Sequence, residues 1–177
     1  MICLRCGGKS KENYCNGCFT RIVEKRVKKA IRESGLLEKG LVLVASDEFV
    51  EGLLRKIINL PVTITSIAQK GKNVLPCIGS TIDDQSVAFL EEYIGDRKEK
   101  NVDERKAEKL KKRELNLFSC LSDAEVVRYF TLSGKKFIPK EHPLKKHLDV
   151  LIKKYPEVQY ALHNATNEYD HLLEKGI

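Results

Sequence analysis

The chain opens on two cysteine pairs, Cys3-Leu4-Arg5-Cys6 and Cys15-Asn16-Gly17-Cys18, separated by a short polar loop. This feature constrains the start of the fold more than any other. A CxxC turn presents two thiols on one side of a tight hairpin, and two such turns facing each other complete a four-sulfur site. Gly7, Gly8 and Gly17 follow cysteines, where the backbone has to fold back toward sulfur. The spacing predicts a structural zinc site on Cys3, Cys6, Cys15 and Cys18, with a 4Fe–4S cluster as the other metal that takes four thiolates. A disulfide framework is not expected, because nothing resembling a signal peptide is present. A segment this short and polar has too little apolar surface to fold without a metal.

Size and charge set the next limits. At 177 residues the chain accommodates one ordinary domain with a small appendage. No apolar run approaches a membrane span, so no membrane partner and a cytoplasmic location are expected. Tryptophan is absent, which argues against an aromatic platform for stacking bases. From Met1 to Arg32, nine Lys or Arg stand against Glu12 and Glu24, a balance of +7 that equals the net charge of the whole chain. A basic module on a neutral body is the electrostatic outline of a protein that grips a phosphate backbone.

Residues Phe19 to Glu33 predict a helix. Phe19, Ile22, Val23, Val27, Ala30 and Ile31 form an apolar stripe, and Arg21, Lys25, Lys28 and Arg32 a positive ridge opposite it. Ser34-Gly35 closes the helix. The continuous apolar run Leu41 to Ala45 predicts a buried parallel strand. Asp47 is a cap for a helix over Glu48 to Ile58, which Pro61 ends. Val62 to Ile67 and Val74 to Ile78 predict two further strands, and Asp83 to Tyr93 a third helix. Arg97 to Arg113 is almost wholly charged and reads as a solvated helix or a linker. Ser122 is a cap for a helix over Asp123 to Leu132, and Lys145 to Tyr155 and Tyr160 to Leu173 predict two more, with Pro156 between them. Alternation of strands and helices with unbroken apolar strands indicates an α/β fold built on a parallel sheet with helices on both faces.

In order, these segments resemble the tRNA 2-thiouridine synthetases of the TtuA type and their cytoplasmic two-subunit relatives. The resemblance is carried by the N-terminal cysteine ribbon, by Phe19 to Ile31 with Arg26, Val27, Lys29 and Ile31, and by Gly79 to Asp84 running on to Gly95-Asp96. It continues through Leu117 to Tyr129. It implies a PP-loop (adenine nucleotide alpha hydrolase-like) core, here in reduced form. The family's ATP-binding loop, S-G-G-x-D-S, corresponds to Ser46 to Gly52. Asp47 and Glu48 put carboxylates where phosphates would sit, and Phe49 fills space the nucleotide needs, so ATP binding in the family manner is not expected. The family's G-H-N-x-D-D block has Ser80 in place of histidine. An aspartate there serves catalysis in active members, whereas Asp83 or Asp84 is expected here to cap the helix. A long cysteine-bearing insertion is missing between Ala68 and Val74, a Cys-Pro pair is replaced by His142-Pro143, and no CxxC follows Cys18.

The resemblance is strongest to the degenerate second subunit, and it implies a non-enzymatic, tRNA-binding accessory subunit for 2-thiolation of the wobble uridine. Such a chain works as a heteromer with a catalytic PP-loop paralogue. The expected organisation is a zinc ribbon over 1–18, a basic connecting helix over 19–35, the reduced α/β core over 36–96, a charged linker or helix over 97–114 and a helical C-terminal part over 115–177. Arg21, Lys25, Lys28 and Arg32 are the expected RNA contacts, positioning the backbone without reading sequence. Two alternatives compete: a sulfurtransferase using Cys77 or Cys120, and a protein-docking scaffold built on the zinc ribbon. A packed, reduced thiol is the bland account of both cysteines.

Overall fold

The computed structural model describes residues 1–67, 71, 73–94, 113–158, 160–165 and 168. Its centre is a four-stranded, wholly parallel sheet of β1 (Val42–Ala45), β2 (Thr63–Thr65), β3 (Val74–Ile78) and β4 (Leu115–Asn116), in the order β2-β1-β3-β4. Around it stand α1 (Asn16–Ser34), α2 (Glu48–Ile57), α3 (Ile82–Ile94), α4 (Asp123–Leu132) and α5 (Pro143–Lys154). The crossover β1–α2–β2 runs toward one edge and β3–α3–β4 toward the other. Right-handed connections therefore put α2 and α3 on opposite faces. The α/β architecture expected from the strand pattern is present, with the cysteine module ahead of it.

The core follows from which side chains the pleat turns inward. Leu43 and Ala45 of β1, and Leu75 and Cys77 of β3, are buried, as are Val50, Leu53, Leu54 and Ile57 along α2. Val23, Val27 and Ile31 put the apolar stripe of α1 into the same cluster. Burying one such side chain contributes about 1.5–3 kcal/mol, so the stripe of α1 anchors that helix firmly while its other face stays in water.

Local signals decided several boundaries. Asp47 caps α2, its Oδ1 accepting from the N–H of Phe49 and Val50 at 2.9 Å each. Ser122 and Glu125 close a reciprocal capping box on α4, which begins at Asp123 as expected. Gly35 adopts a left-handed φ of 62° and ends α1. His142 is the cap of α5: its Nδ1 accepts from Leu144 N–H at 3.2 Å, and its Nε2 meets Glu91 at 3.0 Å. The predicted strand over Val62 to Ile67 is shorter, at Thr63–Thr65. The expected charged segment over 97–114 lies outside the described residues except for Arg113 and Glu114, as does half of the helix over Tyr160 to Leu173. β4, at only two residues, has no pattern in the sequence that announces it.

Candidate functional site

The two cysteine pairs are held differently. The first lies in a small antiparallel turn. Ile2 bridges Lys9, Cys3 N–H donates to Gly8 O at 2.8 Å, and Gly7 takes a φ of 71° so that its N–H returns to Cys3 O. The second pair sits on the first turn of α1, with Cys15 as its N-cap and its carbonyl accepting from Phe19 N–H at 2.9 Å. The helix thus starts at Asn16, three residues before the apolar periodicity begins. Gly17 lies inside that first turn rather than in a reversal. A helix N-terminus favours nearby thiolate.

All four sulfurs lie within 4.8 Å of one another, and Cys6 and Cys15 are 3.7 Å apart. Backbone hydrogen bonds from Cys15 and Arg5 bring the Cys3 thiol down to about 6. Burial, reinforced by hydrogen bonds among the neighbouring thiols, pushes Cys18 up to about 12. Four sulfurs so close can all ionise only around a cation. The set fits one: a tetrahedral zinc with Zn–S of about 2.3 Å sets its sulfurs about 3.8 Å apart. In a 4Fe–4S cluster each thiolate binds a different iron, which spreads the sulfurs farther than ligands of one ion. The described cysteines are all free thiols, so no disulfide competes.

Directly behind this module, Arg21, Lys25, Lys28 and Arg32 are all exposed along one line of α1. None has an ion-pair partner among the described residues. The remaining charges of α1 are turned to the body or to each other. Arg26 pairs with Glu125 and donates to the Cys120 carbonyl, Glu24 accepts Lys56 at 2.7 Å, and Lys29 meets Glu33. Arg128 reaches from α4 to Glu12 and to Tyr14 O, with its guanidinium 4.0 Å over the Phe19 ring. These long-range contacts fasten the cysteine module to the sheet domain and leave the four ridge cations facing water.

At the opposite site, the crevice where strand order reverses between β1 and β3, ligands of open α/β sheets usually bind. Here it is filled. Asp47 already occupies the N-terminal amides of α2. Phe49 packs edge-on to Phe130 and Phe137 at 4.9 and 5.1 Å, and Phe118 joins both at about 6 Å. Gly79 follows β3 beneath this cluster, and a Cβ there would stand 2.6 Å from Phe118 and 2.9 Å from Val50. Glycine is therefore required by close packing rather than by a ligand.

The aspartate block behaves structurally, and of the two aspartates it is Asp84 that caps the helix. Asp84 and Thr81 cap α3 reciprocally, each backbone N–H meeting the other's side chain at 3.2 Å. Asp83 instead accepts from Asp123 N–H at 2.6 Å, at the start of α4. Lys145 sits between Asp84 at 2.5 Å and Asp123 at 2.8 Å. Burial alone would lower its pKa, but the hydrogen bonds to the two aspartates outweigh that and raise it. Neither alternative nucleophile is activated. Burial pushes the Cys77 thiol up to about 12, and its Sγ donates to Leu75 O at 3.5 Å. Burial also raises Cys120, partly offset by Arg26.

No protein-family model matches the sequence, and no curated protein sequence matches it. Among solved structures, the fold is similar to that of the U34-tRNA thiolase NcsA from Methanococcus maripaludis with its [4Fe-4S] cluster. The TM-score is 0.69 at 16% identity, over 98% of this chain and 87% of that one. This corrects the expectation that the chain is no enzyme. A thiolase shares its fold over nearly its whole length, so departures from motif residues are no ground for calling it a pseudoenzyme or a degenerate subunit. At this identity the likeness concerns the fold. The fold is α/β, a parallel sheet flanked by helices behind a four-cysteine module, and a tRNA thiolase has it too.

Proposed function

We propose that this protein takes part in 2-thiolation of the wobble uridine of tRNA, and that its own share includes holding the tRNA. The observation that carries the reading is the ridge of Arg21, Lys25, Lys28 and Arg32, exposed and unpaired among the described residues, directly behind the four-cysteine module on a chain with the fold of a U34-tRNA thiolase. Four cations on one helix line supply affinity for a phosphate backbone without sequence reading.

The four cysteines hold zinc in this reading. The 3.7 Å approach of Cys6 to Cys15 supports a single tetrahedral ion over a cluster. Bound there, the ion supplies folding energy and keeps the basic surface in place. Its ligands are Cys3, Cys6, Cys15 and Cys18. In this reading the chain assembles in the cytoplasm with a PP-loop paralogue. Among the described residues no helix is long and apolar enough to cross a membrane.

The test is a titration of the full chain with unmodified tRNA at several salt concentrations. Affinity should fall steeply with salt, the logarithm losing about 0.9 per decade for each phosphate contact. The variant R21E/K25E should bind more weakly with a shallower slope. Unchanged affinity in that variant removes the assigned surface. Size-exclusion of the chain with a PP-loop thiolase from the same cell, with and without tRNA, tests the partnership directly.

A further inference from the structure

The ridge of α1 ends beside a cavity. Gly35 turns the chain at the end of α1 and Ile58 leaves α2 in extended conformation, and residues of both helix ends line one hollow together with Leu37. This half-open hollow has a volume of about 300 Å³. Its floor is apolar, made by buried Ile31 and Ile57 with half-buried Leu37, and Leu60 is 40% exposed at the rim. Lys28 and Arg32, two of the four ridge cations, line the same cavity.

Charge and shape select the occupant. The C-terminal ends of α1 and α2 border the cavity, each carrying about half a negative charge. Lys28 and Arg32 bring two full positive charges, so the rim favours an anion while the floor favours an apolar plane. A pure phosphate would leave the apolar floor idle, and an acyl chain would leave both cations idle. A nucleotide uses both: its base lies on the floor and its phosphate meets the rim. The volume stands at the small end of ligand sites, which run from about 300 to 1,000 Å³. A second hollow flanks the ridge at Arg5, Ile22, Lys25, Arg26 and Lys29, but only Ile22 is apolar there, so it lacks the floor.

We propose that this cavity receives one unpaired nucleotide of a bound RNA, its base against Ile31, Leu37, Ile57 and Leu60 and its phosphate held by Lys28 and Arg32. The inference rests on the RNA-holding role of α1 and goes further than it. A bare phosphate rail grips single and double strands alike, whereas a base cavity requires an unstacked base. The site makes the ridge selective for a loop or end over a stem.

The experiment measures binding of the full chain to a short single-stranded RNA and to a duplex RNA of matched charge. Three proteins are compared: wild type, N59A/L60S at two exposed rim positions, and R21E/K25E. Wild type should prefer the single strand, and N59A/L60S should lose about fivefold or more for the single strand only. R21E/K25E should weaken both RNAs. If N59A/L60S leaves single-strand affinity unchanged while R21E/K25E weakens both RNAs, the cavity proposal falls and the rail stands. If neither RNA binds wild type at low salt, both fall. Photo-crosslinking of 4-thiouridine-bearing RNA to wild type adds an independent readout. Adducts should map to the segment from Ile57 to Leu60, and adducts confined to the face of Arg21 and Lys25 would overturn the cavity site.

Discussion

The two ends of this molecule treat charge in opposite ways. In the N-terminal module four thiols gather around one point, and four exposed cations run along a helix line with no ion-pair partner among the described residues. At the carboxyl ends of β1 and β3 polar groups are closed inward. Asp47 takes the amides of α2, Thr81 and Asp84 take each other, Lys145 takes two aspartates, and phenylalanines fill the remaining space. The first region needs a partner to be satisfied, whereas the second is satisfied already. Binding belongs where the donors are unspent.

Metal removal should break this contrast most severely. Structural zinc sites contribute on the order of 10–16 kcal/mol of apparent binding energy, and the module has little core of its own. Chelation, or Cys18→Ala, should abolish amide protection over the first 15 or so residues by hydrogen exchange. The sheet should stay folded, because its core is built by other residues. Unfolding of the whole chain in one step would show that Arg128 and Phe19 couple the two regions completely.

The packed crevice should respond next. Phe118→Ala should lose about 3–5 kcal/mol in urea unfolding, as large-to-small changes of buried aromatics do. Gly79→Ala, with its Cβ at 2.6 Å from Phe118, should lose about 1–3 kcal/mol through overpacking. If either change proved neutral and ATP then bound with micromolar affinity, the crevice would be plugged rather than built shut.

Lys145→Ala should cost about 3 kcal/mol, since it strands Asp84 and Asp123 around a lost cation. The folded pKa of Lys145 is raised, so its stabilisation is complete below the unfolded lysine value of about 10.4. It fades as pH climbs through the higher folded value. Wild type should therefore lose stability at strongly alkaline pH along a curve that Lys145→Met flattens. A curve unchanged by the substitution would show that the ion pair contributes nothing.

The smallest effect on the fold should come from the ridge. R21E/K25E should change the unfolding free energy by less than about 0.5 kcal/mol, because both side chains are exposed. A large loss of stability would mean that the ridge has a structural partner and is not a binding surface.

Local rules made much of this legible. β3 runs over Val74–Ile78 and α4 over Asp123–Leu132 as the sequence indicates, because apolar runs and capping boxes act within a few residues. The cysteine quartet was legible for the same reason. The start of α1 was missed because the second CxxC is polar and carries no periodicity, yet it supplies the first helical turn. β4 was missed because two residues cannot show a pattern, and only pairing with β3 makes them a strand. Of the two aspartates offered as caps, Asp84 caps its own helix, and only tertiary contact sends Asp83 to α4, a partner 40 residues away.

The sequence by itself therefore determined most of the elements, the cysteine pairs and the one-sided charge of α1, which depend on neighbours close along the chain. Tertiary structure decided which of those features stay open. Glu24, Arg26 and Arg128 find partners about a hundred residues distant, so they are spent on holding the module. Phe49, Phe118, Phe130 and Phe137 converge from separate segments and shut the crevice. Two helix ends line a cavity beside Lys28 and Arg32. Burial and pairing are properties of neighbours in space, and only the folded chain supplies them.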